Sequence, residues 1–105
     1  MEEIIYLNNL YDLYGELLTD KQRDYFEDYY QNNLTLSEIA SNNGVSRNAI
    51  HKQVKETVKY LKNYEEKLKL CEKNGKIMEI ISEIDDIKLK EKLERIIEGW
   101  ICLEK

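Results

Sequence analysis

The chain has 105 residues, 42% hydrophobic and 35% charged, with four glycines, no proline and a net charge of −5. That length suits a single domain spanning residues 1–105, and a composition this poor in helix breakers and turn formers implies an all-α fold. No apolar run approaches the roughly 20 residues of a membrane span, and the N-terminus lacks a basic-then-apolar secretory pattern, so a cytoplasmic protein without membrane insertion is expected.

From Glu2 to Leu18, apolar residues at Ile4, Leu7, Tyr11, Tyr14 and Leu18 recur at spacings of three and four, the mark of a helix with one buried stripe. The stripe serves either the domain's own core or a short coiled-coil seam. Thr19 and Gln22 form a capping box that opens helix two, with Tyr25, Phe26, Tyr29 and Tyr30 as its aromatic face and Gln31-Asn32-Asn33 as its end. Thr35 and Glu38 form a second capping box, so helix three starts near Leu36. Ala40 leaves room for a close helix crossing, and Gly44 can take the positive φ that ends a helix tightly.

Ser46 caps helix four, whose inward stripe is read as Ile50, Val54, Val58 and Leu61. Tyr64, Leu68 and Cys71 extend it, so this helix is expected to run to about Glu72, on the order of 40 Å at 1.5 Å per residue. Lys73-Asn74-Gly75 supplies the expected stop. Ile77, Ile80, Ile81 and Ile84 mark helix five; Asp85-Asp86 can cap helix six, with Leu89, Leu93, Ile96, Ile97 and Trp100 at helical spacing. So much isoleucine on a 63–105 extension suggests a homodimer interface, the alternative being a bundle folded back on itself.

Charge is unevenly distributed. Residues 1–45 carry nine acidic and two basic side chains, whereas residues 46–64 carry one acidic and five basic. A basic edge on an acidic body can orient a protein toward a polyanion and disfavour wrong poses. A lysine row is also what a solvated helix face looks like. Here the row falls on the helix that follows the turn.

No catalytic constellation emerges, so an enzyme is not expected, nor is a small-molecule substrate or a cofactor. There is one histidine, no glycine-rich phosphate loop, and no Ser or Cys set beside a base. Cys71 and Cys102 have neither CxxC nor metal-ligand spacing, so reduced thiols and no metal are expected. The pairs Glu2-Glu3, Glu65-Glu66 and Asp85-Asp86 read as solvated or capping residues.

Two short helices hinged at Asn43-Gly44, within a region spanning residues 19–62, form a helix-turn-helix pattern. In such a motif the second helix enters the major groove and the first crosses the backbone. Arg47, Asn48, His51 and Lys52 would then face base edges, because Arg pairs bidentately with guanine and Asn with adenine. Lys55 and Lys59 would meet phosphates, and Ser46 caps the helix with a phosphate contact as an optional second role.

The run Leu34-Thr-Leu-Ser-Glu-Ile-Ala followed by Gly44-Val-Ser-Arg-Asn-Ala-Ile resembles the region 4 helix-turn-helix of bacterial sigma factors. With Leu18-Thr-Asp-Lys-Gln-Arg-Asp-Tyr-Phe before it and Val58-Lys-Tyr-Leu-Lys-Asn-Tyr after it, most of the chain resembles the YlxM-like family of small helix-turn-helix proteins. That resemblance implies an all-helical, dimeric protein and a link to the signal recognition particle pathway of protein export. Three readings follow: a regulator binding duplex DNA, a modulator contacting the RNA or GTPase of the signal recognition particle, and a dimeric protein-binding adaptor whose acidic half engages a basic partner.

Overall fold

A computed structural model describes the backbone of residues 2–101 and the side chains of residues 3–98. The described residues form six helices without strands: α1 (Glu2–Tyr14), α2 (Asp20–Phe26), α3 (Leu36–Asn43), α4 (Arg47–Leu68), α5 (Leu70–Ser82) and α6 (Ile87–Ile101). They build a body of 54 × 27 × 24 Å. Cys102 and the side chain of Trp100 lie outside the described residues, while Cys71 is a free thiol.

Helix α1 stops four residues before the expected Leu18, tightening into a 3-10 turn at Gly15–Leu17. Gly15 lies under the Tyr11 ring, where an added Cβ would sit 3.1 Å from a ring carbon. The turn redirects the chain so that Leu18 still reaches the core. The buried stripe is Leu7, Leu10, Tyr14 and Leu18, with Leu10 inside and Ile4 43% exposed, a correction to the expected set.

Both capping boxes are present. Gln22 N–H donates to Thr19 Oγ1 at 3.2 Å and Thr19 N–H to Gln22 Oε1 at 2.9 Å, with the same exchange between Thr35 and Glu38 at 3.1 and 2.9 Å. Helix α2 then widens into a π turn at Glu27–Gln31, which no local sequence signal had suggested. Of its expected aromatic face, Tyr25 and Phe26 are buried, Tyr30 is half-buried and Tyr29 is exposed. Phe26 stacks on Tyr11 at 4.5 Å and meets Tyr30 at 4.8 Å, and the Tyr11 hydroxyl donates to the Glu27 carboxylate.

Two apolar clusters share α4. Tyr25, Leu36, Ile39 and Ala40 surround Ile50 and Val54, whereas Leu7, Leu10, Tyr14, Leu18 and Phe26 surround Leu61. Neighbouring residues of α2, Tyr25 and Phe26, thus feed different clusters. The expected Val58 is only half-buried, and Thr57 is fully buried in the α4 stripe instead. Its hydroxyl donates to the Gln53 carbonyl at 2.8 Å, which satisfies the polar group within its own helix.

The expected rod from Ser46 to Glu72 is interrupted. Lys69 takes a left-handed conformation at φ 56°, and α4 ends at Leu68. Gly75, the expected stop, lies inside α5 instead. The break is held by a latch distant in sequence. Leu70 N–H donates to the Tyr14 hydroxyl at 3.1 Å, while Cys71 and Glu72 N–H donate to the two Glu65 carboxylate oxygens at 3.0 and 3.2 Å. The Tyr14 hydroxyl in turn donates to Glu65 Oε1 at 2.7 Å. Glu65 therefore serves as the N-terminal cap of α5, supplying charge where the helix dipole favours it.

Helices α5 and α6 pack as a hairpin that also touches α1, burying Ile81 and Ile97. Asp86 caps α6 by accepting from Leu89 N–H at 3.2 Å. Outside, Ile80 is 63%, Ile87 70% and Ile96 56% exposed.

Glu65→Ala should lower unfolding stability in urea by about 0.5–2 kcal/mol, because it removes the cap of the Cys71 and Glu72 N–H groups. The buried Tyr14 phenol is pushed up from 10.0 to about 12, first by burial and then by donating to Glu65. A raised folded pKa means that the latch contributes fully below the ordinary pKa and is lost as pH rises through the folded one. Stability should therefore fall between pH 10 and 12, and this decline should shrink in Tyr14→Phe, as followed by circular dichroism at increasing pH.

Candidate nucleic-acid interface

The turn between α3 and α4 is built from short-range chemistry. Gly44 has φ 66° and its N–H donates to the Ala40 carbonyl, as does Val45 N–H at 3.1 Å. Asn43 Nδ2 donates to the Ile39 carbonyl at 2.7 Å, so the last carbonyls of α3 are satisfied. Ser46 Oγ then accepts from Ala49 N–H at 3.1 Å and opens α4. Ala40 and Ile39 bury against Ile50 and Val54, which locks the two helices in a crossed pair.

This packing turns one face of α4 outward. Ser46, Arg47, Asn48, His51, Lys52, Lys55 and Lys59 are all exposed. At about 100° per residue, Asn48, Lys52, Lys55 and Lys59 fall within an arc of about 60° opposite the buried stripe. His51, Lys52, Lys55 and Lys59 line one shallow groove, together with Glu56. Glu56 is a member that the basic reading passed over; it lies one helical turn beyond Lys52 and tempers the positive field.

Arg47 sits apart from that row. It lines a second groove with Tyr29, Tyr30, Leu34 and Thr35, formed by the end of the π turn and the start of α3. Lys62 is drawn away as well, pairing with Glu3 at 3.3 Å. Among the described residues, no ion pair engages Arg47, Lys52, Lys55 or Lys59. Their charge is available to an external anion.

Electrostatics nearby set a direction. Glu38 is held below the usual carboxylate range by the Thr35 backbone N–H and then by the Thr35 side chain. It keeps a negative charge at the start of α3, which disfavours phosphate there and leaves the α4 row as the anion-facing edge. Among the described residues, no three His, Cys, Asp or Glu side chains converge as metal ligands, and no helix is long and apolar enough to cross a membrane.

Comparison with known proteins agrees with this geometry. Residues 1–99 match the model of the UPF0122 family, described as "Putative helix-turn-helix protein, YlxM / p13 like". A UPF0122 protein of Fusobacterium nucleatum is 42% identical over 101 residues, covering 96% of this chain and 98% of the relative. One from Malacoplasma penetrans is 48% identical over 84 residues, covering 80% and 78%, and one from Halalkalibacterium halodurans is 37% identical over 108 residues, covering 99% of both. With a capped, glycine-hinged helix pair at its centre and similarity along nearly its whole length, the chain belongs to the UPF0122, YlxM-like family of helix-turn-helix proteins.

Proposed function

We propose that this protein is a regulator that binds duplex DNA through α4, acting in the cytosol as a homodimer and not as an enzyme. The observation that supports it most directly is the row of lysines without ion pairs on the helix that follows the turn. Asn48, His51 and Lys52 near the helix start meet base edges, and Lys55 and Lys59 further along meet phosphates. Arg47, set to one side, reaches the adjacent backbone or base from the start of the helix, and Ser46 holds that start in place. The same row suits phosphate contacts on the RNA of the signal recognition particle, whose A-form major groove excludes an inserted helix. Its GTPase is the corresponding protein ligand suggested by the family resemblance.

Titration of duplex DNA, particle RNA and purified GTPase at two salt concentrations separates these ligands. Duplex affinity should fall steeply with salt, and Lys55→Ala with Lys59→Ala should weaken it about uniformly across sequences while reducing the log–log salt slope by about one per lysine. Absence of duplex binding at low salt removes the DNA reading. Preference for the RNA or the GTPase replaces it with the particle reading.

The exposed Ile80, Ile87, Leu89 and Ile96 on α5 and α6 support the dimer. Light scattering at micromolar concentration should give twice the chain mass of 12.6 kDa, and Ile80→Glu with Ile87→Glu should return it to the monomer value.

A further inference from the structure

A groove of about 360 Å³ runs between α1 and α5, on elements other than the recognition helix; Leu13, Cys71, Asn74, Gly75 and Met78 line it, with Asn9 and Asp12 at its edge. Two residues there are costly to the isolated fold. Asn74 is only 8% exposed, and its Oδ1 is buried without a hydrogen-bond partner. A buried acceptor left unsatisfied destabilises the fold that holds it. Gly75 sits in mid-helix, where glycine is markedly less favourable than alanine. Yet an added Cβ at Gly75 would meet nothing within 4 Å, and its φ is not positive. Nothing within the chain needs a glycine there. A bare backbone beside open space suits the close approach of a second backbone.

The groove's surroundings give the chemistry of that second backbone. Asp12 also lines the neighbouring groove, where Glu16, Asp20, Asp24 and Glu27 form an acidic rim around Arg23. Arg23 is already paired with Asp20 at 2.5 Å. An apolar notch with a buried acceptor therefore continues into a strip of negative charge. Met78, 41% exposed and unbranched, can swing to admit a donor to Asn74 and adapt to an apolar side chain.

We propose that this groove docks a basic amphipathic helix of a partner protein. The apolar face of that helix enters the notch over Gly75, one of its donors reaches Asn74 Oδ1, and its cationic face lies along the acidic strip. Such helix-in-groove recognition reads apolar anchors at i, i+3 and i+4. The negative strip also repels nucleic acid, so the surface is complementary to the α4 row and not an extension of it.

The test uses the full chain with an 18-residue Leu/Lys amphipathic helical peptide, its Leu/Glu counterpart, and the variants Gly75→Leu and Asp12→Asn. Gly75→Leu fills open space on a helix, so it should raise Tm while blocking the notch. The Leu/Lys peptide should bind at micromolar concentration, the Leu/Glu peptide at least tenfold more weakly, and Gly75→Leu should lose at least tenfold in affinity. Asp12→Asn should bind more weakly with a shallower salt dependence. Amide shifts in two-dimensional NMR should cluster on α1 and α5. Equal binding by Gly75→Leu would reduce the interaction to charge alone and overturn the proposal. So would conversion of a dimer to monomer by Gly75→Leu, since the groove would then be occupied by a second copy of this chain.

Discussion

Helix α4 must bury one face along two separate clusters, and nearly every other element is placed by that requirement. At its start Ile50 and Val54 fix α3 and the turn; further along Leu61 collects α1 and the first part of α2. Small domains bury a limited share of their surface, so a helix shared by both clusters makes the most of few apolar residues. The outward face is then decided by default. A lysine row opposite the buried stripe faces solvent because Ile50, Val54, Thr57 and Leu61 cannot.

The same geometry separates the two signs of charge. Residues 1–45 carry nine acidic and two basic side chains, while the exposed basic row lies on α4, and ionised Glu38 at the start of α3 is the last acidic residue before that row. A molecule arranged in this way presents different faces to a polyanion and to a cationic peptide. Net charge alone would suggest weak interaction with nucleic acid, but the field close to α4 is set by Lys52, Lys55 and Lys59 at short range, beyond which salt screens the acidic body within about 10 Å.

Local chemistry was legible and tertiary chemistry was not. Thr19, Thr35, Ser46 and Asp86 cap helices where their spacing placed them, and Gly44 ends α3 as its conformational freedom allows, because each bond forms within four residues. The all-α class, the turn and the exposure of Arg47, Asn48, His51, Lys52 and Lys55 followed from these signals. The α4–α5 break did not, since its cap comes from Glu65 and its partner from Tyr14, 56 residues before Leu70. Lys69 carries no propensity for a left-handed turn, whereas Gly75 does and sits in a helix. Thr57 was passed over because a hydroxyl suggests solvent, although its own helix satisfies it. Arg47's offset from the lysines follows from its helical angle alone, but the groove it lines does not, because the π turn shapes that groove.

The latch also bears on where this chain can be divided. A helix-turn-helix pattern suggests a module that could be lifted out by cutting after Leu68. Such a cut would remove the backbone donors that Glu65 and Tyr14 serve, leaving a carboxylate and a buried phenol facing each other without the N–H groups between which they sit. It would also strip Leu70 and Cys71 from the cluster that holds α1 to α4. Helix α4 is thus not an independent cassette: its far end is finished by the residues that follow it.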